Sequence, residues 1–198
     1  MKITKALMAS VFFFMALCVI YYFHMRYARV NVLFYAAIAD GLLAALIASL
    51  ILLGSKYFKI LNSFEKFQLM VIWVFAGYIF AISVPTVIDR SLSFYILEKL
   101  QQRGGGIRQD SFEAVFTKEY VKEQHLVDVR LTEQTQSGTV VIENGCVKLT
   151  EKGNRLATFS RFYRKNFLPK QRLLMGQYTD ALTDPFRMSE VETNYLCK

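Results

Sequence analysis

VNVLFYAAIADGLLAALIASLILL, residues 30–53, decides the architecture, because in this whole run the only charged side chain is Asp40. A helix rises about 1.5 Å per residue, so about 20 such residues cross the hydrocarbon core of a bilayer. Working outward, Ala6–Phe23 before it and Phe67–Ile88 after it are also long and largely uncharged. Three transmembrane helices are therefore expected over residues 1–88. Beyond Ile88 the chain becomes polar. The predicted fold class is a membrane all-α anchor followed by a small α+β domain.

The chain has 198 residues and a net charge of +8. Residues after 88 suffice for one small independent domain. Seven cations face two acids up to Ile88, and seventeen face fourteen after it. Neither half is basic enough to imply nucleic-acid binding by charge alone. Cys18 falls in an apolar run, and Cys146 and Cys197 have no CxxC or histidine neighbour. Neither a disulfide framework nor a zinc site is expected. Lys2 and Lys5 before an apolar run imitate a signal peptide, but no small-x-small cleavage site follows. The sequence Met15-Ala16-Leu17-Cys18 places bulky Leu17 where a lipidation box wants a small residue. The first helix is expected to be retained.

The second helix carries small residues at four-residue spacing in two neighbouring stripes: Ala36, Asp40, Ala44, Ala48 and Ala37, Gly41, Ala45, Ser49. Small residues let helix backbones approach closely where lipid supplies no hydrophobic drive. This helix is expected to be the central packing element, with Gly77 and Ala81 repeating the device on the third. Ala37, Asp40, Gly41, Ala45, Ser49, Gly77 and Ala81 are the candidate packing or partner residues. His24–Arg29 reads as a short loop, making helices one and two an antiparallel hairpin. Orientation is nearly tied: with the C-terminal domain in the cytoplasm, Arg26, Arg29, Arg90, Lys99, Arg103 and Arg108 lie inside and Lys2, Lys5, Lys56, Lys59 and Lys66 outside. That small excess favours a cytoplasmic C-terminal domain in an inner, or plasma, membrane protein.

After Pro85, Asp89 or Ser91 can cap a helix over 92–103, which Gly104-Gly105-Gly106 ends. A second helix fits Gln109 to Glu123, with Phe112, Val115, Phe116 and Tyr120 inward, and a third fits Leu126 to Thr135. Thr139–Ile142 reads as a strand, Glu143-Asn144-Gly145 as a hairpin turn, and Cys146–Leu149 as the return strand. Leu149-Thr150-Glu151-Lys152-Gly153 opens a further helix. The stretch Leu126–Gly153 resembles the recognition helix, wing and Leu-Thr-x-x-Gly ending of winged helix-turn-helix domains, and residues 92–155 are the part of the chain the resemblance covers. It implies a winged-helix-like domain at 89–155, followed by a basic amphipathic helix and extension at 156–179 and a polar tail at 180–198.

Such domains bind DNA or protein. The helix that would read bases here offers Asp128 and Glu133 against Arg130, and the wing tip holds Glu143 and Asn144. Specific DNA binding is not expected. Further on, Phe159, Phe162 and Tyr163 share one helical face opposite Arg161, Arg164 and Lys165, and Lys170 and Arg172 extend a run with no acid from Lys152 to Thr179. These five cations suit a membrane surface or an acidic partner.

Asp40 is costly inside a bilayer and needs a partner or water. A structural hydrogen bond is the plainer role, with ion or proton conduction as its rival. Asp89 and Arg90 mark the junction where the third helix leaves the bilayer, as a cap and a snorkelling charge. The histidines lack ligand spacing, Gly104–Gly106 lacks the lysine of a phosphate loop, and no hydrolase signature is present. No catalytic, cofactor or metal residues are assigned. The function expected is a non-catalytic membrane subunit that binds and positions a membrane protein partner, or a second copy, in an envelope enzyme or transport complex. The alternatives are a membrane-tethered transcriptional regulator and a component of an enzyme or transporter acting on a lipid-linked substrate.

Overall fold

The computed structural model describes residues 2–187. Three helices long and apolar enough to cross a membrane come first: α1 (Lys2–Tyr27), α2 (Leu33–Gly54) and α3 (Ser63–Arg90). No glycine or proline interrupts residues 23–27, so α1 runs on past the loop expected at His24. His24 is therefore helical, and the connection shrinks to residues 28–32. Asn62 caps α3: its side chain accepts from the Glu65 amide at 2.8 Å, while the Glu65 carboxylate accepts from the Asn62 amide at 2.7 Å. Near its end α3 widens into a π turn, Ile82–Thr86, that contains the buried Pro85. Proline lacks the amide that an α-helical turn requires, and a wider turn relieves the clash of its ring with the preceding turn.

As expected, α2 is the central element, packed against both α1 and α3. Phe13 and Leu17 of α1, Ala44, Ala45, Ala48 and Leu52 of α2, and Trp73 of α3 form one buried core. Trp73 stacks on Phe13 with ring centroids 5.7 Å apart, and its Nε1–H donates to Ser10 Oγ at 3.1 Å. The indole donor is thus satisfied within the buried core. Where α2 and α3 cross, a Cβ built on Gly41 would lie 3.0 Å from Gly77 Cα, and the reverse contact is also 3.0 Å. Only two glycines allow this approach.

Ser91, not Asp89, caps the next helix, α4 (Leu92–Gln102), by accepting from the Phe94 amide. Gly104 and Gly105, at φ 79° and 98°, end it in the left-handed region that favours glycine. Residues 112–123 form α5, with a π segment at Val115–Tyr120. Tyr95, Val115 and Tyr120 are buried together, with Ile107, Phe116 and Leu126 packed against them.

The chain divides into two compact units, residues 1–126 and 127–198. In the second, α6 (Leu126–Gln136) leads to the antiparallel hairpin β1 (Val140–Glu143) and β2 (Cys146–Leu149), with Val140 opposite Leu149 and Glu143 opposite Cys146. Asn144 and Gly145 turn it with φ 53° and 75°, the two positive values of a type I′ turn. Then comes α7 (Glu151–Phe167). Along the chain the order of three helices, hairpin and helix matches that expected, with α4 and α5 in the first unit and the hairpin and α7 in the second, so the boundary at 126 falls inside the span 89–155. Helix α7 stops before Leu168, which Pro169 holds extended at φ −88°, ψ 156°. A second hairpin not foreseen in the extension, β3 (Arg172–Leu174) and β4 (Gln177–Thr179), follows. Residues 180–187 are held by Arg187, bonded to the Asp180 carboxylate at 2.8 and 2.5 Å, and by Thr183 Oγ1, which donates to the Lys170 carbonyl at 3.0 Å. The rest of the polar tail expected at 180–198, including Cys197, lies outside the described residues.

Candidate functional site

Asp40 sits one-third of the way along α2 with its side chain 4% exposed, and its partner is His24 of α1. The short 28–32 connection folds α2 back along α1 and brings residue 24 beside residue 40. His24 Nδ1 lies 2.6 Å from Asp40 Oδ1. Oδ2 is buried and has no hydrogen-bond partner among the described residues. Tyr21, one turn before His24, packs edge-on against Phe80 of α3 at 5.3 Å. The His24–Asp40 pair thus ties α1 to α2, and the Tyr21–Phe80 ring contact ties α1 to α3, at the end of the bundle from which the C-terminal part leaves. The sequence alone assigns His24 to a loop, and only the register of two antiparallel helices reveals its role.

Ala37, Gly41, Ala45, Gly77 and Ala81 are all buried, and Ser49 is half-buried. Gly41 and Gly77 meet each other, and Ala45 lies in the core with Phe13, Leu17 and Trp73. The small stripes therefore face the chain's own helices. At the junction, Arg90 Nε lies 3.9 Å from the Asp89 carboxylate, and Asp89 is exposed.

A second cluster, which the sequence reading did not identify, joins α4 to α5. Lys99 is 4% exposed, and its Nζ lies 2.7 Å from Glu119 and 2.7 Å from Glu123. Tyr95 Oη donates to the other Glu123 oxygen at 2.8 Å, and Arg103 flanks Glu119 at 3.1 Å. The bonds to Glu119 and Glu123 hold the Lys99 ammonium far above its ordinary range. The bond from Lys99, above all, holds both carboxylates below theirs. Its sequence signal is two pairs at helical spacing, Tyr95 with Lys99 and Glu119 with Glu123. Four polar side chains satisfying one another make this a brace between helices.

In the second unit the Leu-Thr-x-x-Gly ending has a local cause. Thr150 Oγ1 accepts from the Gly153 amide at 3.1 Å, capping α7, and donates to the carbonyls of Gly138 and Thr139. A Cβ on Gly153 would fall 2.1 Å from the Thr139 carbonyl oxygen. The hairpin and α7 can meet only through a glycine. Arg130 of α6 is held by Glu133 at 2.8 Å. Cys146 is disulfide-bonded, against the expectation from the sequence, in which its spacing carries no pairing signal.

Of the cations singled out, Arg161, Lys165, Lys170 and Arg172 are exposed and Arg164 is half-buried. Phe159, Phe162, Tyr163 and Phe167 form a run of touching rings along the other face of α7, with centroid spacings of 5.3–6.0 Å. The chain matches no protein-family model, no curated protein and no solved structure at a significant level.

Proposed function

We propose that the chain is a non-catalytic integral membrane subunit: a three-helix anchor in the inner, or plasma, membrane carrying a winged-helix-like domain that binds and positions a membrane protein partner. One observation carries this reading. Among the described residues of the second unit, only Thr139 and Gly153 are buried. Val127, Ile142, Val147, Leu149, Leu156, Phe159, Phe162 and Phe167 are all exposed. Full burial of one large apolar side chain is worth about 1.5–3 kcal/mol, and a small domain's whole stability is about 5–15 kcal/mol. Covering a few of these side chains therefore rivals everything that holds such a unit folded, and a protein surface is the natural cover. DNA is disfavoured because Arg130, the one cation on α6, is engaged by Glu133 beside Asp128.

On orientation, the charge excess for a cytoplasmic C-terminal domain is six cations against five. A disulfide at Cys146 suits an oxidising compartment. A margin of one charge is the weaker consideration, and we place the second unit on the oxidising side, with the N-terminus in the cytoplasm.

Photo-crosslinking in intact cells tests the function. A photoreactive residue at Val129, Ile142 or Phe162 is expected to give a discrete adduct with one membrane protein, or with a second copy of the chain, whereas lipid-facing Leu46 gives none. Absence of a discrete adduct from all three positions would contradict the binding role.

A further inference from the structure

We infer that the cationic face of α7 forms a binding pocket for a phosphorylated organic group. Arg161, Arg164 and Lys165 recur at three- and four-residue spacing, so they project from one face within about one turn. Ala157 and Ser160 lie on the same side, and their short side chains leave the space between the long cations unfilled. The Thr183–Phe186 segment closes over that space. Together these residues line an open pocket of about 370 Å³. The roof is held in place by the Thr183 hydroxyl on the Lys170 carbonyl and by the Arg187–Asp180 pair.

The charge balance identifies the ligand. Among the described residues, Arg161, Arg164 and Lys165 form no ion pair. Asp180 is occupied by Arg187, which also attracts Asp184, the single carboxylate on the lining. Three cations against one shared acid select an anion. Guanidinium forks match phosphate oxygens with two parallel donors each, and the Ser160 hydroxyl adds another. The volume falls in the range of small-molecule pockets, about 300–1,000 Å³, and exceeds what a bare phosphate fills. Ala157, Pro185 and Phe186 supply apolar walls for the attached organic part. A phosphate ester is the class that fits, whether in a lipid headgroup or a soluble metabolite.

The test uses the full chain in nanodiscs and follows amide-exchange protection of residues 157–165 and 180–187. One arm titrates glycerol 3-phosphate onto chain held in phosphatidylcholine. The other compares phosphatidylcholine alone with equal parts phosphatidylcholine and phosphatidylglycerol. Protection in either arm is the expected result, and the responding arm identifies the source of the phosphate. Arg161→Gln combined with Arg164→Gln should weaken the response by about tenfold or more, since charge-assisted hydrogen bonds are lost. Ala157→Leu keeps every charge but fills the floor of the pocket at an exposed position, and should weaken it comparably. Exchange in the β1–β2 hairpin shows whether each variant is folded, and Ala157→Leu decides if the double variant is not. No protection in either arm would overturn the inference. So would an undiminished response in Ala157→Leu, which would show diffuse attraction without a pocket.

Discussion

His24 and Asp40 show how one pair can settle a bundle's register. A carboxylate 4% exposed in an apolar helix is costly alone, and His24 at 2.6 Å offsets that cost at one oxygen only. Removing one member should therefore hurt more than removing both. We expect His24→Phe to destabilise the bundle by about 2–3 kcal/mol, and the pair His24→Phe with Asp40→Leu to recover much of that loss. Thermal unfolding in detergent measures the cycle; additive losses would mean the two residues do not interact. Gly41 and Gly77 act by having no side chain at all. Leucine at either position must push backbone atoms that lie 3.0 Å from its Cβ, and should cost about 1–3 kcal/mol. Leu46→Ala on the exposed face should change stability little. Equal melting temperatures for Gly41→Leu and Leu46→Ala would contradict the close crossing.

At the scale of elements, the α4–α5 brace depends on pH in a defined direction. Glu119 and Glu123 are held below the ordinary carboxylate range, so their contribution is complete above about pH 4.3 and is lost as pH falls through their lowered values. Lys99 is held above its ordinary range, so its contribution is complete below about pH 10.4 and is lost only under stronger alkali. Amide-exchange protection of 92–123 should be flat between about pH 5 and 9 and fall below about pH 4. Lys99→Met should lower the plateau and flatten the acid edge; an unchanged profile would mean the brace carries no stability. The elements also show what a sequence reveals. The spans and the β1–β2 hairpin are legible because hydropathy and Asn144-Gly145 are local signals. The β3–β4 hairpin was missed because Met175-Gly176 lies in a short basic run without clear alternation. The His24–Asp40 and Lys99 clusters are not legible in the sequence because they join residues 16 to 28 positions apart, set by packing. Asp40 could be singled out by its chemistry, but its partner could not.

For the whole molecule, the two units use their apolar residues in opposite ways. The helical bundle buries Phe13, Leu17, Leu52, Trp73 and its small residues in one core and turns many other large apolar side chains outward on helices long enough to cross a membrane, whereas Phe159, Phe162 and Phe167 of the second unit, each more than half exposed, lie on no such helix. We propose that those faces are covered by a membrane protein partner. The most direct measurement is the mass and composition of the native complex, purified in mild detergent through a tag on this chain. We predict a stoichiometric complex with one membrane protein, or a defined oligomer of this chain, that dissociates when Ile142→Asp and Phe162→Asp are combined. A lone monomer in native lipid extract, unchanged by those substitutions, would contradict the account.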